Sequence, residues 1–315
     1  MAYHAKRVSV AIITCNRPDG LEQLISALTR LEMPDFPSTN VRVVVVENGR
    51  KHAVTVKLVE RYRAGGLEVS YAHEPTPGIS YARNCAMAHA LHESDFVAFI
   101  DDDEWPSPLW LNDLLSCAMA LNAPVVCGPV LPVFAEDAPN WAEQGGFYAR
   151  KRFETGTEVK YGASNNVLIR SEFLRESGLQ FDSRFALTGG EDTLFFLQLK
   201  QRMGLHVVWC DSAIVFEDVF PERVSTAWLM RRALREGSNM PQYDAILGKA
   251  RGFRLRWILQ GGAHVLLALP WYLFSCLGNQ QIQKKRSCRK LALGVGMIRG
   301  ALGAEINEYS ERHQS

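Results

Sequence analysis

Residues 96–104, Phe-Val-Ala-Phe-Ile-Asp-Asp-Asp-Glu, decide how this chain folds: five apolar residues run directly into four acids. A run that short and that rich in Phe, Val and Ile predicts a strand buried on both faces of a sheet. Carboxylates crowded at a strand end repel one another and lose hydration, so they persist most easily where a divalent cation takes up the charge. Asp101, Asp102 and Asp103 would then hold Mg2+ or Mn2+, hard cations that take oxygen ligands and leave positions open to a substrate phosphate. A solvated acidic loop ahead of Pro106 and Pro108 is the other reading open at this point.

Working outward from that strand, the first hundred residues alternate between strand and helix patterns. Residues 8–14 are apolar and β-branched; Asn16-Arg17-Pro18-Asp19-Gly20 breaks the run, and Leu21, Leu24, Ile25, Leu28 and Leu31 follow at helical spacing. Residues 41–46 predict a second buried strand, 54–62 a helix ended by Gly65-Gly66, 67–72 a third strand, and 80–92 a helix with Ser80 at its N-cap. Such alternation implies an α/β fold with a mainly parallel, doubly wound sheet. Ligands collect beyond the carboxyl ends of strands in such sheets. Thr14-Cys15-Asn16-Arg17, Glu47-Asn48-Gly49, Pro77-Gly78-Ile79-Ser80 and the acidic quartet all fall there, which favours a phosphate-bearing ligand.

Composition narrows the class. The 315 residues are 47% hydrophobic and 22% charged, enough for one large core or two modest ones, and 35 basic against 34 acidic side chains leave a net charge of +1. No global field for nucleic acid results, and no nucleic-acid partner is expected. Seven cysteines without a Cys-x-x-Cys pair argue against a disulfide framework and for a reducing compartment. A strand pattern begins within eight residues of the N-terminus, so secretion is not expected.

In order, Thr14-Cys15-Asn16-Arg17-Pro18, Val45-Val46-Glu47-Asn48, Ile79-Ser80-Tyr81-Ala82-Arg83-Asn84, Phe99-Ile100-Asp101-Asp102-Asp103-Glu104, Gly128-Pro129, Gly189-Gly190-Glu191-Asp192-Thr193 and the segment from Trp228 to Gly237 form a pattern that resembles the family 2 glycosyltransferases. Each piece is weak alone; their order and spacing carry the resemblance. It implies the GT-A type nucleotide-sugar-binding fold. Within the family the chain is most similar to bacterial exopolysaccharide enzymes that extend lipid-linked repeat units.

The resemblance implies roles that physical chemistry can rationalise. Sugar transfer from a nucleoside diphosphate passes through an oxocarbenium-like transition state in which negative charge grows on the leaving diphosphate. A metal on Asp103, with Asp101 toward the ribose or the metal's water shell, would answer that charge, and Asp102 would belong to the same donor site. Thr14, Asn16, Arg17 and Glu47 would line the base and ribose pocket, while Arg83 and Asn84 would fix the donor. Relatives usually carry Asp where this chain has Glu47. Asp192 would be the catalytic base, with Glu191 contacting the acceptor or tuning the proton affinity. A single base opposite the leaving group means inversion, so an α-linked donor, UDP-glucose by analogy, gives a β-linked product. Arg232 and Arg235, with Trp228 and Arg231, form a cationic helical segment ended by Gly237 that would reach the diphosphate, the alternative being an amphipathic helix with a solvated basic face. Asn165 and Asn166 fall where relatives place residues lining the acceptor side, although turn formation explains them equally. Relatives also often carry His where this chain has Phe216. Cys85, His89 and His92 share a helix face, but packing explains them better than a transition-metal site.

The C-terminal fifth changes character. Residues 257–277 are nearly apolar enough to span a bilayer but are interrupted by Gln260, Gly261, Gly262, His264 and Pro270. Arg251, Arg254 and Arg256 precede this stretch, and Lys284, Lys285, Arg286, Arg289 and Lys290 follow it. Basic flanks on both sides suit a helix lying in the interface, or a shallow hairpin with residues 291–302 as its second arm, better than a single span. A soluble helical layer is the alternative. The expected division is a catalytic domain over 1–220, a basic helical segment over 221–250, and a membrane-surface region over 251–315 on the cytoplasmic face of the inner membrane. The expected activity is a metal-dependent, inverting glycosyltransferase using Mg2+ or Mn2+, a UDP-sugar donor and a lipid-linked glycan acceptor in exopolysaccharide synthesis. A non-catalytic sugar-nucleotide or glycan-binding subunit is the competing class.

Overall fold

The computed structural model describes residues 6–249, 252–278 and 280–304. The chain divides into two compact units: the first holds residues up to Leu131 and Arg150–Asp218, the second Pro132–Ala149 and the chain from Val219 onward. The excursion over 132–149 was not legible as a separate piece. The helix that follows Ser225 belongs with the C-terminal helices rather than forming a segment of its own.

In the first unit the elements run β1 (Arg7–Thr14), α1 (Pro18–Leu28), β2 (Asn40–Asn48), α2 (Ala53–Ala64), β3 (Val69–Glu74), α3 (Ile79–Leu91), β4 (Phe96–Ile100), β5 (Glu104–Pro106), α4 (Trp110–Ala120) and β6 (Val125–Cys127). The chain leaves along β7 (Val130–Phe134), makes α5 (Asn140–Gln144) in the second unit, and returns with β8 (Glu158–Val159), β9 (Asn166–Arg170), α6 (Ser171–Ser177), α7 (Glu191–Met203), β10 (Val207–Trp209) and β11 (Val215–Val219). An eight-stranded sheet has the order β3-β2-β1-β4-β9-β6-β10-β8. Its first four strands are parallel, as the alternation predicts. In the other half β9 runs antiparallel to both β4 and β6. Strand β9 follows the short strand β8 rather than a crossover helix, which is why the first-half pattern did not reveal it.

Strand β4 is buried on both faces, as its sequence predicts: Phe96, Ala98 and Ile100 enter the core shared with α1 and α4, while Val97 and Phe99 enter the core shared with α3 and α7. Leu21, Leu24, Ile25 and Leu28 hold α1 against the sheet, each contributing roughly 1.5–3 kcal/mol. Gly20 sets how close α1 comes, because a Cβ there would lie 2.4 Å from the Asp102 carbonyl oxygen. Glycine thus lets the first turn of α1 lean on the acidic loop.

Two local expectations are corrected. Ser80 does not cap α3: the helix starts at Ile79 behind Gly78, whose φ is +138°. The Gly78 and Ile79 N–H groups instead donate to Asn48 Oδ1 and the Ala186 carbonyl, so tertiary acceptors replace a side-chain cap and Ser80 Oγ donates to the Asp182 carbonyl. Strand β3 begins at Val69 rather than Leu67, because the Leu67 N–H closes the end of α2 on the Tyr62 carbonyl.

In the second unit α8 (Thr226–Ile246), α9 (Phe253–Leu277) and α10 (Gln281–Ala301) form a helical layer. Gly237 does not end its helix. A Cβ there would meet the Leu293 carbonyl at 2.2 Å, and one on Gly296 would meet the Leu234 carbonyl at 2.1 Å, so these glycines serve close approach of α8 and α10. The predicted apolar segment is one helix, α9, continuous through Gly261 and Pro270. The second arm of the hairpin is the whole of α10, longer than the predicted 291–302. Arg251 lies outside the described residues.

Candidate active site

Strand β4 delivers the acidic quartet to the carboxyl edge of the sheet, where two arginines meet it. Arg17, immediately before α1, donates through Nη1 to Asp103 Oδ2 at 2.8 Å and to Asp102 Oδ1 at 3.1 Å. Thr14, at the end of β1, donates its hydroxyl to Asp102 Oδ2 at 2.8 Å. Between them Asn16 takes φ +53°, a left-handed turn that Asn tolerates and that directs the chain into α1. Burial works against the charge of Arg17, but Asp102 and Asp103 more than offset it and raise its proton affinity. Desolvation pushes Asp102 up to about 6 despite Arg17, with Asp103 adding repulsion.

The second arginine links this loop to α7. Arg83 donates to Asp101 Oδ1 at 3.1 Å and forms an ion pair with Glu191, and both its side chain and that of Glu191 are buried. Glu191 therefore holds Arg83 rather than facing an acceptor, a correction to its expected role. Asp192, the next residue, is half-buried at the first turn of α7, and its Oδ1 accepts from the Thr193 N–H at 2.6 Å. Gly189 and Gly190 with φ of +73° and +95° make the turn that presents it. Of the sequence-predicted residues, Arg17 is thus paired with Asp102 and Asp103, and Arg83 with Asp101 and Glu191, while Asp192 contacts its neighbour Thr193.

Other candidates have structural duties. Glu47 is fully buried, and its carboxylate accepts from Tyr71 Oη (2.6 Å), Thr55 Oγ1 (2.7 Å) and the His52 N–H (3.0 Å), with the His52 ring at 3.0 Å. Burial opposes its ionisation, but these hydrogen bonds prevail and lower its pKa. Glu47 ties β2, α2 and β3 together instead of lining an open pocket, and the extra methylene lets it reach inward. Asn84 spends its amide on the backbone of Phe181, donating to the carbonyl at 2.9 Å and accepting from the N–H at 2.7 Å. Its expected donor contact is replaced by anchoring α3 to the segment before α7. Asn166 is a strut as well: it accepts from Trp110 Nε1 at 2.8 Å and donates to the carbonyls of Pro129 and Ala213. Asn166→Leu should lower stability by about 3 kcal/mol, since it strands several buried polar groups, and a urea titration checks this.

Glu104 is the residue that sequence reasoning quoted but did not assign. It is buried, with Oε2 accepting from the Asp101 N–H at 3.1 Å and Oε1 from Asn165 Nδ2 at 2.6 Å, while Arg150 binds Asn165 Oδ1 at 2.8 Å. Desolvation, with repulsion from Asp101, Glu217 and Asp103, holds its pKa well above the ordinary range. Its pairing with Glu217 across β5 and β11 joins strands far apart in sequence, so no local pattern revealed it. Asp218 follows on β11, its N–H on the Asp103 carbonyl at 3.3 Å; desolvation and Asp103 raise its pKa.

The donor set fits a hard divalent cation: Asp101 and Asp103 supply oxygens, and Arg17 already places positive charge on Asp103. Mg2+-type sites use one or two carboxylates completed by substrate phosphates, and among the described residues no three His, Cys, Asp or Glu side chains gather into a closed cage. Cys85, His89 and His92 do not gather into such a group either. All seven cysteines are free thiols. Arg232 and Arg235 lie on α8 in the second unit, where Arg232 donates to Glu236 at 3.0 Å and lies over Trp228, which is 5.3 Å away.

Comparison with known proteins identifies the family and the fold. Residues 9–178 match the glycosyl transferase family 2. The chain is 31% identical, over 97% of its length and 96% of the relative's, to the succinoglycan biosynthesis protein ExoM of Rhizobium meliloti. It is 27% identical over 89% of its length to a pre-mycofactocin glycosyltransferase of Mycobacterium tuberculosis, of which it spans 58%. Among solved structures it resembles the mannosyltransferase PcManGT of Pyrobaculum calidifontis in complex with GDP-Man and Mn2+ (TM-score 0.59, 18% identity, 94% of this chain and 87% of that one). It also resembles S. aureus TarS 1-349 in complex with UDP-GlcNAc (TM-score 0.54, 20% identity, 91% and 90%). The fold is of the GT-A type, and the chain belongs to the family 2 glycosyltransferases.

Proposed function

We propose that this protein is a metal-dependent, inverting hexosyltransferase that moves glucose from UDP-glucose to a polyprenyl-diphosphate-linked oligosaccharide in exopolysaccharide synthesis. The observation that carries this reading is the link from Glu191 through Arg83 to Asp101, which ties the first turn of α7, where the half-buried Asp192 follows Glu191, to the acidic loop. Asp192 takes the proton of the acceptor hydroxyl as that oxygen attacks the anomeric carbon. Arg83, held by Glu191, keeps Asp101 in place, while Asp103 is the principal metal-binding carboxylate. When bound, Mg2+ or Mn2+ supplies Lewis-acid stabilisation of the leaving diphosphate. The similarity to a succinoglycan biosynthesis protein supports the pathway class, and the solved UDP-sugar and GDP-sugar complexes support a nucleotide-sugar donor.

The test is a panel of nucleotide sugars with Mn2+ and lipid-linked acceptor, following free nucleoside diphosphate and the anomeric configuration of the product. Release with UDP-glucose and a β-linked product is expected. Release with none of the donors would favour the non-catalytic binding subunit.

We further propose that α9 lies on the cytoplasmic face of the inner membrane. It carries no acidic residue, and its outer face exposes Leu266 (71%), Trp271 (57%) and Leu277 (89%). A perpendicular crossing is disfavoured, because Lys284 of α10 packs 5.8 Å from the Tyr272 ring and the neighbouring cations would be drawn into hydrocarbon. Several of those cations have partners, Arg256 on Asp244, Lys285 on Thr226 and Arg289 on Glu236, so apolar burial supplies the larger share of binding. In liposome flotation the protein should rise with anionic vesicles and less with neutral ones. Leu266→Asp with Trp271→Asp should weaken binding at least about 10-fold. A protein that stays at the bottom with both vesicle types would make this layer a soluble one.

A further inference from the structure

We propose that Arg17 holds the cation's place on Asp103 in the donor-free protein, so that the divalent cation binds tightly only together with a nucleoside diphosphate that draws Arg17 away. The inference rests on the reading of Asp103 as a metal-binding carboxylate. Two guanidiniums neutralise the acidic loop, and they differ in freedom. Arg83 is 5% exposed, clamped by Glu191 and packed 5.9 Å from the Phe181 ring, so it cannot leave Asp101 without stranding a buried carboxylate. Arg17 is 26% exposed, and it bridges two carboxylates of which one is the expected ligand.

Its carbonyl accepts from the Leu21 N–H at the start of α1 at 3.1 Å, while its side chain has four rotatable bonds with which to turn outward. A cation coordinated by Asp103 would stand within a few ångströms of the Arg17 guanidinium, and like charges at that distance repel strongly in a partly dry site. A bound diphosphate resolves the conflict, since its oxygens complete the cation's shell and offer Arg17 a bidentate anionic partner. The order follows from charge: Mn2+ alone displaces Arg17 at a loss, whereas Mn2+ with a diphosphate exchanges one anionic partner for another.

Binding of Mn2+ to the full-length protein, read from the electron paramagnetic resonance signal of free Mn2+ with and without UDP, tests this. Wild type should bind Mn2+ weakly alone and much more tightly with UDP. Arg17→Met, which keeps the stem and removes the charge, should bind Mn2+ alone about 10-fold more tightly and lose most of the gain from UDP. Arg17→Lys, which keeps the charge, should bind Mn2+ alone less tightly than Arg17→Met does, because the repulsion remains. Arg17→Met binding Mn2+ alone no more tightly than wild type, or the Met and Lys variants behaving alike, would overturn the inference while leaving the metal site standing. Unchanged Mn2+ binding by Asp103→Asn in the presence of UDP would instead remove the metal assignment itself, and this inference with it.

Discussion

Asp192→Asn should lower turnover by about 10²–10⁴-fold while leaving donor affinity nearly unchanged. The substitution preserves volume and removes the ability to accept a proton. The residue is half-buried at the first turn of α7, and its Oδ1 hydrogen bond to the Thr193 N–H can be kept by the amide oxygen, so the helix start should survive. The neighbouring carboxylate gives the contrast. Glu191→Gln leaves the Arg83 guanidinium without its buried counter-charge, so it should reduce stability and disturb the acidic loop as well as slow transfer. Turnover and UDP affinity, measured together by steady-state kinetics and calorimetry, separate the two. Equal losses in both quantities for Asp192→Asn would reassign that residue to binding or structure.

Asp103→Asn should weaken donor binding and reduce transfer by about 10²-fold or more, because it removes the carboxylate expected to hold the cation against the diphosphate; several kcal/mol of charge stabilisation are at stake. The fold should persist. Asp103 approaches Arg17 at the sheet edge, and losing its charge relieves the repulsion that helps raise the pKa of Asp102 to about 6. Activity that survives both EDTA and this substitution would refute metal dependence. A loss of activity with normal UDP-sugar affinity at saturating Mn2+ would place Asp103 in the transition state rather than in binding.

Both predictions concern residues legible in the sequence, Asp103 from the apolar strand that runs into acids and Asp192 from the resemblance to the family 2 glycosyltransferases. The strand at 96–100 followed by the acids, the Gly-Gly turn ahead of Glu191 and Asp192, and the parallel order of the first four strands depend on local pattern, and the structure contains all of them. The same local logic misassigned Ser80 and Gly237, and the resemblance placed Glu47 and Asn84 at the donor, whereas both are hydrogen-bonded within the protein. A serine near a helix start resembles a cap, a glycine after a basic run resembles a stop, and a polar residue at a strand end resembles a ligand contact. In each case another part of the fold took the group first: the Asp182 carbonyl, the backbone of α10, the Tyr71–Thr55–His52 cage and the backbone of Phe181.

By itself, then, the sequence determined which carboxylates and arginines crowd the carboxyl edge of the sheet, since residue type and the periods of strand and helix are local properties. Which carboxylate pairs with which guanidinium was decided only by tertiary structure. Glu191 is 108 residues from Arg83 by their numbers, and Glu104 meets Glu217 only because β5 and β11 pair antiparallel. The free energy of such long-range pairing comes from desolvation and charge compensation inside a packed core, terms that no local window of sequence contains.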